Sequence, residues 1–325
     1  MISDNHKDKK IIYMGTPDFA VPALTALADS GYTVTGVVTQ PDKPKGRGKV
    51  MLKTPVKEEA ERLGIPVWQP RRVREPEFID FLKEQKPDMI VVAAFGQIIP
   101  KDILDLPPYG CLNIHGSLLP KYRGASPIQQ AVINGDKETG VTIMRMDVGL
   151  DTGDIISKKV IPLTGEETGG SLFDTISALG AELLLETIPS VFEGTATYEK
   201  QPAESPTPYA AMLKKEAGLL DFGKSAEELE RLVRGLCPWP GAYTYLNGKT
   251  LKIWKSRVEE SEEETPGIPG QILRTDPSGI AVSCGKGILV LTEVQLEGRK
   301  KMAVDAFLRG CRIERGTMLE NLRNE

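Results

Sequence analysis

The stretch "KIIYMGTPDFAVPALTALADSGYTVTGVVTQ", Lys10–Gln40, decides the fold. "KIIYMG" is a short apolar run closed by glycine, the form of a buried parallel strand. "AVPALTALADSG" has helical spacing and a terminal glycine, and "YTVTGVVTQ" reads as the next strand. The alternation continues outward. "PVKEEAERLG" is a helix with Pro55 suited to its first turn, followed by "IPVWQP", the helix "EFIDFLKEQKP" and the strand "DMIVVAAF". "GCLNIHG" is a further strand, "PIQQAVING" a short helix and "GVTIMRMD" a strand. This rhythm predicts an α/β fold, a Rossmann-like, mostly parallel sheet with helices on both faces. A long amphipathic helix, "SLFDTISALGAELLLETIPSVFEG", closes it.

The pattern then changes. "YEKQPAESPTPYA" is polar, rich in proline and poor in core-forming residues, which reads as a linker. Beyond it, "YTYLNGKTLKIW" is two alternating strands around Asn-Gly, the signature of a type I′ hairpin. "GQILRTDPSGIAVSCGKGILVLTEVQL" supplies three more strands, which predicts a small antiparallel β-barrel of OB-like form. The expected division is 1–193, a linker over 194–208, and 209–325.

At 40% hydrophobic and 26% charged residues, the composition is that of a soluble globular chain. No apolar run is expected to span a bilayer, and the charged leader "MISDNHKDKK" lacks the apolar segment of a secretory signal. His6, within it, is expected to be solvated. Four scattered cysteines without CxxC spacing point to a reducing compartment, hence the cytoplasm. Two histidines cannot build a His-based zinc site, and no metal is expected. From Pro208 onward 18 Lys and Arg face 17 Asp and Glu, and five of those acids sit in "EESEEE" (Glu259–Glu264). Two readings stay open: a solvated acidic hairpin tip, or a basic face with its acids at one edge.

"GTPDFAVPAL" occupies the first strand-to-helix turn but lacks the later glycines of a dinucleotide fingerprint, and Pro17 removes a donor. "NIHGSLLPKYRGASP" (Asn113–Pro127) is more informative. Strand alternation puts Asn113 and His115 on one side, with His115 at the carboxyl end, where open α/β sheets carry their sites. An amide beside an imidazole suits a developing oxyanion. "DVGLDTGDII" (Asp147–Ile156) follows a strand and carries three aspartates and two glycines, and one of the aspartates could orient His115 or accept a proton. Spacing alone does not separate this from an ordinary turn. "QPDKPKGRGKVMLK" (Gln40–Lys53) spaces Lys43, Lys45, Arg47 and Lys49 in a glycine-containing loop, a pattern fit for phosphates or for a solvated loop. "CPWPGAY" is read as structural, with Trp239 packed in the barrel or an interface.

Taken together, "NIHGSLLPKYRGASP", "DVGLDTGDI", "GTPDFAVPAL" and "TQPDKPKGRGK" resemble the folate-dependent formyltransferases over nearly the whole chain. The early loop and second domain narrow the resemblance to members that formylate methionine carried on initiator tRNA. The resemblance implies Asn113, His115 and Asp151 as the catalytic residues. It implies 10-formyltetrahydrofolate as formyl donor, with Ser117, Leu118, Leu119 and Pro120 at the folate and Gln97 and Ile98 lining the pterin pocket. It further implies that Lys43, Lys45, Arg47 and Lys49 meet the tRNA acceptor arm, that the barrel binds tRNA, and that no membrane is involved. A monomer is expected. The nearest alternative acceptor is a nucleotide-sugar or glycinamide ribonucleotide amine. A noncatalytic RNA-binding protein and a formate-releasing hydrolase are the remaining alternatives.

Overall fold

A computed structural model of the chain describes residues 6–45, 50–261 and 266–320. Arg47 and Lys49 therefore lie outside the described residues, as does most of the acidic run after Ser261. The chain divides into two units. The first comprises Met1–Pro127, Glu138–Pro162 and Phe173–Ala210, and the second Ile128–Lys137, Leu163–Leu172 and Ala211–Glu325.

The strands of the first unit are β1 (Lys10–Gly15), β2 (Thr33–Val38), β3 (Lys43–Lys45), β4 (Val50–Leu52), β5 (Val67–Trp68), β6 (Met89–Ala93), β7 (Cys111–His115), β8 (Glu138–Arg145) and β9 (Ile155–Pro162). The main sheet has the order β5-β2-β1-β6-β7-β8-β9. Its first five strands are parallel, as predicted, but β8 runs antiparallel to β7, and β9 to β8. The parallel strands β1, β6 and β7 are almost wholly buried, the pattern of a sheet covered on both faces. β9 is absent from the sequence reading because only Ile155 of its eight residues is buried and the rest are partly buried or exposed, so it lacks the apolar run of the parallel strands. Gln40–Lys53, read as a loop, contains the antiparallel pair β3–β4.

The helices are α1 (Val21–Asp29), α2 (Pro55–Arg62), α3 (Pro76–Gln85), α4 (Lys101–Leu104), α5 (Pro127–Ile133) and α6 (Gly169–Phe192). Thr54 caps α2 by accepting from the Lys57 amide, and Pro55 fills its first position. In α6, a Cβ on Gly180 would stand 2.7 Å from Cγ2 of Ile114, so glycine lets the helix lie directly on β7. By length and mean hydropathy α6 could cross a bilayer, contrary to the sequence reading, but 56% of its most apolar window is buried within the protein. It also carries Glu182 and Glu186, both paired to Lys159 of β9.

Two expectations are corrected here. His6 is not solvated: it is 6% exposed, tilted against the Phe192 ring, with Nε2 3.4 Å from a Glu193 carboxylate oxygen. The end of the leader is thus docked by an aromatic contact, which its polar composition does not reveal. Trp239 is 62% exposed rather than packed, although the cis bonds before Pro238 and Pro240 bracket it.

The second unit holds α7 (Ala226–Gly235), β10 (Ala242–Leu246), β11 (Lys249–Glu259), β12 (Ile272–Asp276), β13 (Gly279–Ser283), β14 (Ile288–Leu296), β15 (Met302–Ala303) and α8 (Val304–Arg309). Antiparallel pairing runs β10-β11-β14-β13-β12, with β15 on β14. Asn247 and Gly248 both have positive φ, the type I′ turn that Asn-Gly announces. The edges β10 and β12 are bridged by residues 316–320: the amides of Tyr245 and Glu320 donate reciprocally to each other's carbonyls, and the Ile272 amide donates to the Thr317 carbonyl. That last segment completes a barrel around Phe222, Leu251, Ile280, Leu289 and Phe307. Ser225 and Glu228 form a capping box on α7, a signal present in the sequence as S-x-x-E.

Candidate active site

The site is built where β1, β6 and β7 release their loops along one sheet edge. Thr16, after β1, donates its hydroxyl to the Phe95 carbonyl, after β6, at 2.9 Å, and Gln40 donates to the same carbonyl at 3.3 Å. These ties hold the loops after β1, β2 and β6 together.

On β7, Asn113 pairs in register with Met144 and His115 with Thr142, so both side chains lie on one face. They are 8% and 5% exposed. Nε2 of His115 stands 3.0 Å from the Tyr122 carbonyl, which can only accept, so the chemistry assigns the proton to Nε2. Nδ1 is turned toward Asp151, 3.8 Å from Oδ1. That exceeds a hydrogen bond, so Tyr122 rather than Asp151 fixes the imidazole. No hydrogen bond among the described residues engages the Asn113 amide. A nearly buried amide with free donors is equipped for a ligand oxygen.

Asp151 is held from two directions. Its Oδ2 accepts the Gly124 amide at 2.8 Å, and its backbone sits at φ 55°, a left-handed conformation that Asp tolerates. Of the three aspartates in this turn, Asp147 folds back on itself, accepting from the Gly149 amide and the Thr152 hydroxyl. Gly153 is required: a Cβ there would meet the Arg145 carbonyl at 1.9 Å. The same holds for Gly124, at φ 122°, where a Cβ would stand 2.6 Å from the Ala210 carbonyl. The exposed Tyr209 ring covers that glycine, and its hydroxyl pKa is raised, first by desolvation and then by the Asp151 charge.

The Ser117–Pro120 turn is pinned by Thr142, a fully buried residue that the sequence reading passed over. Thr142 donates to the Ser117 carbonyl at 2.7 Å and accepts from the Leu119 amide at 3.1 Å. The Ser117 hydroxyl donates to the Lys121 carbonyl, and Leu119 packs against Met144 and Ile155. Leu118 and Pro120 alone in this turn stay partly exposed. On the neighbouring loop Ile98 is 78% exposed. Gln97 accepts the Val73 amide through Oε1, while its Nε2 is buried without a partner. That orphan donor, beside an apolar side chain open to solvent, fits a flat heterocycle bearing acceptor atoms.

Lys43 is exposed on β3, and Asp42 before it is anchored to Lys57 at 2.6 Å and to Gln69. These two partners, Lys57 first, hold the Asp42 carboxyl below its usual range. Lys45 lies on β3 as well, paired with Val50. Among the described residues no cluster of His, Cys, Asp and Glu suits a metal ion.

The chain belongs to the formyl transferase family: its model matches residues 9–188, and that of the formyl transferase C-terminal domain matches 212–312. A methionyl-tRNA formyltransferase of Agathobacter rectalis is 54% identical over 308 residues, covering 95% of this chain and 98% of that protein. One of Geobacter metallireducens is 52% identical over 309 residues, at 95% and 98% coverage. Among solved structures, the sugar 3N-formyl transferase WlaRD, crystallised with dTDP and 5-N-formyl-THF, has TM-score 0.64 at 20% identity, covering 90% of this chain and 99% of its own. HypX of Aquifex aeolicus, in complex with tetrahydrofolic acid, has TM-score 0.61 at 17% identity, covering 95% of this chain and 50% of its own. These two share the fold.

Proposed function

We infer that the protein transfers the formyl group of 10-formyltetrahydrofolate to the α-amine of methionine on initiator Met-tRNA, giving formylmethionyl-tRNA. The observation that carries the acceptor is identity of 54% along 98% of a curated methionyl-tRNA formyltransferase. The folate supplies an activated formyl group on N10. The residues of this chain do the rest. The free Asn113 amide donates to the formyl oxygen as negative charge develops there. With its Nε2 proton committed to Tyr122, His115 presents Nδ1 as an acceptor and can donate from it only as the cation. Asp151 faces that nitrogen across 3.8 Å and accepts the proton that the α-ammonium must lose before the free amine attacks; as the tetrahedral adduct collapses the bond from the formyl carbon to N10 breaks, and N10 takes up a proton lost by the attacking amine. Gln97 and Ile98 take the pterin, with Ser117, Leu118, Leu119 and Pro120 forming the adjoining wall. Since the Ser117 hydroxyl, the Leu119 side chain and most of the turn's backbone groups are already engaged, that turn contributes the flanks of Leu118 and Pro120.

Lys43, Lys45, Arg47 and Lys49 meet the acceptor arm, and the barrel binds tRNA through its phosphates. We place the enzyme in the cytoplasm as a monomer acting without a membrane or metal. The domain division proposed is 1–193, 194–208 and 209–325.

The test is an incubation of pure protein with formyl-labelled 10-formyltetrahydrofolate and, in parallel, initiator Met-tRNA, a nucleotide-sugar amine, glycinamide ribonucleotide or water. Label is expected on Met-tRNA. Label on another amine, or formate released equally without any amine, would overturn the reading.

A further inference from the structure

We propose that Gln201 is a positioning residue for Asp151, locked in orientation by Arg123. Its Nε2 donates to the Asp151 carbonyl at 3.0 Å and to the Gly153 carbonyl at 2.7 Å. Its Oε1 accepts from Nε and Nη2 of Arg123 at 3.2 and 3.0 Å. The assignment of nitrogen and oxygen is forced, because guanidinium can only donate and backbone carbonyls can only accept. Arg123 is 7% exposed, and its other partners are the carbonyls of Pro202 and Ala203. Its buried charge is thus satisfied by neutral oxygens on one short segment, which fixes where Gln201 stands.

The segment itself is no loose tether. The amides of Ile155 and Glu199 donate to each other's carbonyls at 2.8 Å, and Ser205 donates to the Pro120 carbonyl. Gln201 clamps the two carbonyls flanking residue 152, in the loop whose left-handed residue aims the carboxylate at His115. An amide alone among the side chains of this size supplies an acceptor to Arg123 and two donors to the loop. The proposal rests on the reading of Asp151 as proton acceptor.

Gln201→Glu separates positioning from simple anchoring. It keeps the size and strengthens the pairing with Arg123, but sets a carboxylate oxygen against two carbonyls. We expect kcat on Met-tRNA to fall between about 10- and about 10²-fold, the cost of a misplaced group, with little change in either KM. The pH profile of kcat should also be displaced, since the Asp151–His115 spacing changes. Gln201→Met, which lacks the donors and adds no charge, should show the same fall and covers the case in which the carboxylate prevents folding. Wild-type kcat and an unchanged pH profile in a folded Gln201→Glu variant would overturn the proposal. Asp151→Asn is run beside it. If wild type formylates Met-tRNA and Asp151→Asn does so equally, the underlying reading fails with the proposal. If Asp151→Asn is inactive while both Gln201 variants are normal, the positioning role alone is overturned.

Discussion

Nδ1 of His115 stands 3.8 Å from Oδ1 of Asp151, while the far side of the same ring gives its proton to the Tyr122 carbonyl at 3.0 Å. The imidazole is therefore oriented by backbone, and the Asp151 carboxylate, whose Oδ2 accepts the Gly124 amide, makes no hydrogen bond to it. At 3.8 Å the ring nitrogen and the carboxylate oxygen face each other without a direct hydrogen bond.

This arrangement fixes a tautomer. In the neutral ring the proton resides on Nε2. Nitrogen-15 spectra of the protein labelled in its two histidines, assigned with His6→Ala, should show His115 in that form at alkaline pH. A proton on Nδ1 in the neutral ring would contradict it.

Thr142→Val tests the wall proposed to lie beside the folate. Valine keeps the shape but leaves the Leu119 amide and the Ser117 carbonyl without the hydroxyl that serves both. A buried donor so stranded costs about 1–3 kcal/mol, seen as a lowered Tm. The folate KM should rise more than the tRNA KM, measured with each substrate varied in turn.

Acid stability has a named contributor between α1 and α2. Glu59 accepts both 2.7 Å hydrogen bonds of Arg62 and the Thr25 hydroxyl. Arg62 first, and Thr25 with it, lowers its pKa from 4.5 to about 2 against the opposing effect of burial. A folded-state pKa below the unfolded one means stability that is present above pH 4.5 and lost as pH falls toward about 2. Glu59→Gln should therefore lower Tm at neutral pH and flatten its fall across that acid window. A parallel fall in both proteins would remove Glu59 from the account.

The cations of Gln40–Lys53 are expected to differ in kind. Replacing Lys43 by alanine should weaken all tRNAs about equally and flatten the salt dependence of binding by about one unit. Arg47→Lys keeps the charge but loses the planar guanidinium, so kcat/KM should fall more for initiator Met-tRNA than for competitor tRNAs. Equal kcat/KM values to wild type for both substrates would make Arg47 an ordinary phosphate contact.

What was legible in the sequence followed from short-range periodicity. Strand alternation placed Asn113 and His115 on one face, and Asn-Gly announced the β10–β11 turn. The glycines around Asp151 marked a tight loop without telling which aspartate faces the histidine. That choice depends on the Gly124 amide, 27 residues away, and on Gln201, 50 residues away. No local pattern encodes such long-range hydrogen bonds. Proline-rich 198–210 read as a spacer because it has few apolar residues, yet it binds through side-chain amides, hydroxyls and carbonyls. Thr142 was hidden inside an ordinary strand, and the reversal of β8 cannot be read from burial alone.

In the proposed mechanism, Asn113, His115 and Asp151 accelerate formyl transfer by acting on charge at the reacting atoms. Its most direct measurement is the single-turnover rate of formylmethionyl-tRNA formation by Asn113→Ala at saturating 10-formyltetrahydrofolate and initiator Met-tRNA. The side chain holds no other part of the fold by a hydrogen bond among the described residues, so the variant should fold and bind both substrates. Loss of one oxyanion donor predicts a rate lower by about 10²-fold or more. A folded variant that forms product at the wild-type rate would contradict the account.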